Sequence, residues 1–578
     1  MTFLSNKKAL YRLAILLTIG TGVARILSTY RVFSQTADEP AHIACGMELL
    51  QYRIYFMDVR HPPLARIAMA LGPYLVGARL PDRGHGDGNE AGNTILNSHQ
   101  NYWENLTLAR LGTLPFFILG CVVVWSWTNQ LFGKRAALLS LLAFTLLPPV
   151  LGHSGLATND VAGASTLCLA LYWLTLWIEN PTRWAAARLG AGVGLAVASK
   201  FSALLFLPAC AAAVVVLCLA VDMEYLRRAI RKIASSLFLS LVVAYLVISA
   251  GYLFTAVPIQ ASRPHTVVDR LSGRHPVVHD ALCAILETPY PAGRAAGGIK
   301  ALAGHNKAGH PAFFMGEWRR YGWWYFFPVM FLVKTPVPFL LLSSIACVFV
   351  IRSVKRDHDW RKVAPLLFAL VVLGVSLPAR INIGLRHVLA IYPLLSIVAG
   401  GAAMELWGAI RRPIVSRSAV AALFAWLAIS SAFTHPDYLA YFNFLASDRP
   451  ERIQAESDLD WGQDLARLSQ WLRARGVQEV AISYFGTADL TRADLPNFHE
   501  LAPYHKTSGW VAISAHNRVI PNAFVITPRR LGMAPFYSVP GHFDRIKPGD
   551  GPFAWLMDYK PLEKIGSSIF VYYIPPPQ

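Results

Sequence analysis

Apolar runs of about 20 residues recur along most of this chain, each long enough to cross a hydrocarbon core of about 30 Å as a helix. In lipid such a run must satisfy its own backbone polar groups, which leaves helices or closed barrels. These runs are continuous rather than alternating, so they read as helices. Composition agrees. The chain is 54% hydrophobic and 15% charged, where a soluble domain carries about 25% charged residues. The expected class is an α-helical polytopic membrane protein.

Candidate spans fall near 9–28, 107–131, 135–151, 157–178, 185–199, 201–221, 234–256, 324–351, 362–379, 386–408 and 416–434, about eleven in all. The first, "SNKKALYRLAILLTIGTGVARILSTYRVF", lacks a small-residue cleavage site and leads into further spans, so it reads as an uncleaved signal anchor. Alternate connections hold the basic residues: Lys7, Lys8 and Arg12; Lys134 and Arg135; Arg183 and Arg188; Arg227 to Lys232; Arg352 to Lys362; Arg411 to Arg417. The positive-inside rule puts these and the N-terminus in the cytoplasm. The loops 29–106 and 257–323, and everything after 434, then face outward. The excess of 53 Lys and Arg over 34 Asp and Glu therefore fixes topology and meets anionic membrane lipids. No basic patch is interleaved with aromatics outside the membrane, so nucleic acid is not an expected partner.

This divides the chain into a transmembrane domain, 1–434, and an exterior domain, 435–578. In the first exterior loop, "MELLQYRIYF" and "PLARIAMALGPYLVGARL" have helical spacing but are too short to span. They are expected to lie in the interface with apolar faces in lipid. "DRGHGDGNEAGN" reads as a mobile loop. Beyond 435, "LDWGQDLARLSQWLRARG" sets Trp461, Leu465, Leu468 and Leu472 on one helical face. "VQEVAISYF", "GWVAISA" and "SSIFVYYI" read as strands, so a small α/β domain is expected. In "ESDLDWGQD", Glu456, Asp458, Asp460 and Asp464 suit a helix N-terminus capped by Ser457, with a calcium site or an acceptor contact as alternatives. "NLT" at Asn105 fits the glycosylation pattern.

Charge beside a membrane core is costly and invites a reason. The outward side collects Asp38, Glu39 and His42; Asp58, Arg60, His61 and Arg66; His153 and Asp160; Lys200; Lys334; and Arg380, Arg386 and His387. A hydroxyl that becomes a nucleophile needs a base such as Asp or Glu. A phosphate leaving group needs Lys, Arg or His. Together they imply group transfer from a lipid phosphate to an acceptor outside the cytoplasm. Each residue also has a plainer use. Asp38 suits a helix cap, Lys200 and Lys334 can snorkel, and Arg386 can anchor at the interface.

The residues "DEPAH", "MDVRHPPLARI", "LATNDV", "GLAVASKFSALL" and "GLRHVLAIYP", in this order over about 9–410, resemble the GT-C membrane glycosyltransferases. The likeness is to the branch of protein O-mannosyltransferases and aminoarabinose transferases, in a bacterial subgroup. The resemblance implies a GT-C-like fold in a bacterial plasma membrane. It also implies transfer of a sugar, with inversion, from a polyprenyl-phosphate donor to an acceptor on protein, lipid or glycan. It makes Asp38, Glu39 and Asp160 the catalytic set, with Asp38 as base. It makes His61, Lys200 and Arg386 substrate and phosphate contacts, and the gathering of charge on the outward side adds His42, Arg60, Lys334 and His387 to them. No cofactor is certain. Arg60 stands where aminoarabinose transferases have a metal-binding glutamate region, which leaves a divalent metal open. An amino-sugar transferase acting on a lipid anchor and a lipid-linked sugar flippase are the competing readings.

Overall fold

The computed structural model describes residues 2–81, 87–221, 223–259, 268–269, 275–357, 359–409, 411–522, 524–529, 532–541, 543–546 and 551–576. The apolar runs form helices packed around a continuous core. Six described helices are long and apolar enough to cross a membrane, or seven if the pair Phe326–Lys334 and Val337–Arg352, bent by 117°, counts as one span. The chain is an integral membrane protein.

The sequence suggests about eleven spans, and the difference has physical sources. Helices Arg183–Ser199, Trp360–Ser376 and Ile391–Trp407 have 17 residues each, about 25 Å at 1.5 Å per residue. The continuous helix Leu114–Thr145 breaks at Gly133, where φ is +81°, a conformation glycine adopts without penalty. The rings of Phe117 and Phe144 stack 6.0 Å apart, whereas a straight helix would separate them by about 40 Å. Trp125 Nε1 donates to the Tyr11 hydroxyl, which donates to Lys134 O. The segment is therefore two antiparallel limbs.

The segment after the first helix folds as Glu39–Tyr52, Pro63–Leu75 and Gly88–Leu96, then Tyr102–Leu111 leads back into the bundle. The apolar face of helix Glu39–Tyr52 is not free to meet lipid as expected. The 63–75 and 88–96 helices cover it, and Ile43, Ala44, Cys45, Met47 and Leu49 are fully buried. Helix Pro63–Leu75 leaves Leu71 and Leu75 exposed. The expected mobile loop falls partly on 82–86, outside the described residues; the rest begins a helix whose Asn89 amide donates to Asp87. Gly46 lets the first two of these helices touch, since a Cβ there would lie 2.0 Å from the Arg66 carbonyl oxygen. Gly46→Ala is expected to cost at least about 1–3 kcal/mol as overpacking, read as a lowered melting temperature. Asn105 is no glycosylation acceptor: it is buried in a helix, and Nδ2 donates to Leu96 O and Ser98 O.

Beyond the bundle, strands Glu479–Ser483, Asn497–Glu500, Gly509–Ser514, Glu563–Ile565 and Ile569–Ile574 form one mixed sheet. Glu479–Ser483 pairs parallel with both 497–500 and 509–514, and the last two strands are antiparallel. Helix Leu465–Ala474 buries Leu465, Leu468 and Leu472. This helix starts later than the sequence suggests. Residues 456–464 form a turn, and Ser457 donates to Ile383 O instead of capping a helix. A smaller sheet joins Ala312–Phe314 and Glu317–Arg319 to Arg545–Ile546, tying the 257–323 segment to the C-terminal part.

Asp460 sits at the end of strand Gly509–Ser514, fully buried, accepting from the His516 and Gly462 amides. Burial pushes its carboxyl up to about 8, against the pull of those amides. An unfolded Asp titrates near ~4. Between these values the folded protein holds a proton that the unfolded chain has released, so stability falls as pH rises from about 4 to about 8. Asp460→Asn is expected to flatten that decline, as read from thermal melts across the range.

Candidate functional site

Four stretches of chain meet at one end of the bundle. Asp38 stands at the N-terminus of helix Glu39–Tyr52. Asp160 opens helix Asp160–Glu179, Lys200 ends helix Arg183–Ser199, and Arg386 sits in the short turn Leu385–Val388 before Ile391–Trp407. Their charges interlock. Arg386 Nη1 lies 2.8 Å from Asp38 Oδ2 and 3.9 Å from Asp160 Oδ2. Lys200 Nζ lies 2.7 Å from Asp160 Oδ1 and also reaches Arg386 O at 3.4 Å. Asp160 is buried, and Thr158 Oγ1 donates to it. The Asp38 side chain is 40% exposed, against 10% for Arg386 and 14% for Lys200. An accessible carboxylate thus stands beside two enclosed cations, and Asp160 offsets only part of their charge.

Behind this group lies a second polar unit. Arg66 donates through Nε to His42 Nδ1 and through Nη2 to Asp58 Oδ2, at 2.9 and 2.8 Å. The His42 ring proton is therefore on Nε2. The rings of His42 and His61 meet edge to face at 5.2 Å, and His61 Nδ1 contacts Asn159 Nδ2. Burial, then the Arg66 charge, push both imidazoles well below the usual histidine range, so both are neutral. Burial opposes ionisation of Asp58, but Arg66 and Arg60 outweigh it and hold its carboxyl far below the usual range. Arg66, already among the outward charges in the sequence, and Asn159, which sequence reasoning did not single out, organise this unit.

Other candidates lie elsewhere. Glu39, expected as a catalytic partner of Asp38, is a strut. It is fully buried, and both oxygens bind Arg110, at 2.8 and 2.9 Å. It also accepts from the Ala157 and Thr36 amides. Arg110 in turn holds Tyr30 O, Phe33 O and Ser34 O. Lys334 is not directed at the Asp38–Arg386 group: its buried Nζ donates to Leu439 O and Asp458 O, 4.3 Å from the Phe442 ring. Arg60 is half exposed and paired with Asp58. His387 sits beside Arg386, its Nε2 buried without a protein partner. Among the described residues no three His, Cys, Asp or Glu side chains gather as a metal site. Asp38 and Asp160 are each committed to cations, so the residues present do not fit a divalent metal.

The turn 456–464 supplies what sequence spacing could not place. The Arg386 guanidinium lies over the Trp461 ring at 4.2 Å. Asp458 Oδ2 accepts from the Leu385 amide at 2.8 Å, fixing the turn that carries Arg386. Trp461 thus faces the charged group instead of continuing the Leu465–Leu472 stripe.

Residues 104–250 match the family described as dolichyl-phosphate-mannose-protein mannosyltransferase. The helical architecture is similar to that of the Saccharomyces cerevisiae protein O-mannosyltransferase Pmt1–Pmt2 complex bound to the sugar donor. That match has 11% identity and a TM-score of 0.50, covering 74% of this chain and 90% of that one. ArnT from Cupriavidus metallidurans bound to undecaprenyl phosphate aligns at 14% identity and a TM-score of 0.46, over 72% of this chain and 70% of that one. The archaeal oligosaccharyltransferase AglB from Archaeoglobus fulgidus, in complex with an inhibitory peptide and a dolichol-phosphate, aligns at 11% and 0.48, over 92% and 74%. No curated protein matches the chain significantly. The likeness is thus one of fold, to the Pmt1–Pmt2 complex, together with a family match limited to residues 104–250.

Proposed function

We propose that the protein is an inverting glycosyltransferase that moves a sugar from a polyprenyl-phosphate carrier to a hydroxyl outside the cytoplasm. The observation that carries this reading is the accessible Asp38 carboxylate 2.8 Å from Arg386, with Lys200 bound to the same group. Alternating basic connections support an outward-facing site and a cytoplasmic N-terminus, and the resemblance to a bacterial subgroup supports a bacterial plasma membrane.

In the proposed step, the carrier phosphate lies on Arg386 and Lys200. A phosphate on Arg386 competes with Asp38 for the guanidinium and releases the carboxylate toward the acceptor. Asp38 takes the proton of the acceptor hydroxyl as the acceptor oxygen bonds to the anomeric carbon from the face opposite the phosphate. The bond from that carbon to the phosphate oxygen breaks, and its electron pair leaves on the phosphate, where the two cations stabilise it. The products are the glycosylated acceptor, the free polyprenyl phosphate and one proton on Asp38. Asp160 holds Lys200 in place. His42 and His61, both neutral, shape the wall without adding charge.

Purified protein incubated with a panel of polyprenyl-phosphate sugars and cell-envelope extract should consume one donor and add one glycosyl mass to an acceptor. Consumption of none would overturn the reading. Arg386→Lys keeps the charge but loses the planar fork and the stacking on Trp461. It is expected to lower kcat by about 100-fold, within the range for one lost transition-state donor, while Lys200 preserves part of donor binding.

A further inference from the structure

The mechanism leaves several enclosed polar atoms around Arg386 unused. Arg386 Nε, Glu456 Oε2 and Asp458 Oδ1 are each buried without a hydrogen-bond partner in the protein. Asp458 is 1% exposed. Its Oδ2 is committed to the Leu385 amide, and its Oδ1 lies 3.5 Å from the point where a Cβ on Gly384 would stand. Unpaired buried polar atoms of this kind cost free energy unless a ligand satisfies them. Here they are of opposite character. A guanidinium nitrogen seeks an anion, and carboxyl oxygens beside it seek hydroxyl donors. Phosphate alone satisfies only the first, and a simple alcohol only the second. A phosphate bearing a polyol satisfies both.

Resting on the reading above, we propose that the turn Glu456–Trp461 forms the sugar half of the donor site. Glu456 receives hydroxyls of the carrier-linked sugar, Asp458 fixes the Arg386 turn, and Trp461 backs the guanidinium that holds the phosphate. The C-terminal part of the chain thereby supplies the group that distinguishes a glycosylated carrier from the bare one. The carboxyls suit this task. Burial pushes Glu456 up to about 8, against the pull of Arg386, and Asp458 is raised by burial against the pull of Lys334. Near neutral pH, Glu456 is then largely uncharged and does not repel the phosphate, while its carboxyl both donates and accepts hydrogen bonds.

The test is a binding measurement on the full-length protein in detergent and needs no turnover. Affinities are compared for undecaprenyl phosphate and for undecaprenyl phosphate carrying mannose, glucose or 4-aminoarabinose. Wild type is expected to bind one glycosylated carrier at least about tenfold more tightly than the bare one, the scale of one or two hydrogen bonds. Glu456→Ala should erase that preference and leave bare-carrier affinity within about twofold, and Glu456→Gln, which keeps one oxygen and the shape, should restore part of it. A wild type without preference for any glycosylated carrier overturns the proposal. So does a Glu456→Ala variant that keeps the preference, or that weakens bare and glycosylated carriers equally. Loss of transfer chemistry with the binding preference intact would instead count against the transferase reading alone.

Discussion

Asp38→Asn should yield a protein that folds and binds its donor but no longer transfers sugar, with kcat reduced by about 10²–10⁴, the scale of general-base catalysis. The substitution keeps the side-chain shape and one oxygen for the enclosed Arg386, and Asp160 Oδ2 remains 3.9 Å from that guanidinium, so the cation keeps an anionic neighbour. The variant's melting temperature should therefore stay close to wild type. The checks are single-turnover kinetics with the preferred polyprenyl-phosphate sugar and a thermal melt of the same preparation. Retained turnover would remove Asp38 from the chemistry.

Glu39→Ala, one residue away, should do the opposite and fail at the level of folding. Its carboxylate and the Arg110 guanidinium are both fully buried and closed to water. Arg110 also clamps the backbone of Tyr30, Phe33 and Ser34, so this pair sets where the first helix ends and where Asp38 begins. Removing one partner of a buried pair leaves an uncompensated charge and costs about 3–5 kcal/mol. That is a large share of the ~5–15 kcal/mol that holds a typical domain together. The expected result is a steep fall in melting temperature and in detergent-soluble yield, with Arg110→Ala behaving alike. A stable, inactive Glu39→Ala protein would return Glu39 to the catalytic group.

The contrast between these neighbours shows what could be read in the residues. "DEPAH" marks a place where charge meets the membrane, but consecutive residues at a helix start point about 100° apart. Which carboxylate faces the site depends on what packs on the other side. Here Arg110, 71 positions later, takes Glu39 inward. Lys200 and Arg386 show the favourable case. They lie 186 positions apart, yet the order of spans brings them to one end of the bundle, where Lys200 reaches the Arg386 carbonyl. Lys334 shows the unfavourable one. It sits at the same helix ends, but two carbonyls from the 439–458 stretch claim its ammonium. The strands at 479–483, 509–514 and 569–574 follow the β-branched runs, whereas the short hairpin 312–319 takes its third strand, 545–546, from more than 200 positions away.

Hydrophobicity is a local property, so the sequence alone determined that the chain lives in a membrane, roughly where its helices run, and which end of the bundle gathers charge. The division of labour among those charges is a property of contacts. Only the folded chain could decide that Asp38 stays accessible, that Glu39 becomes a strut, and that Glu456 and Trp461 come to rest beside Arg386. A charged side chain near lipid takes whatever partner the packing offers it, and that partner can come from hundreds of residues away.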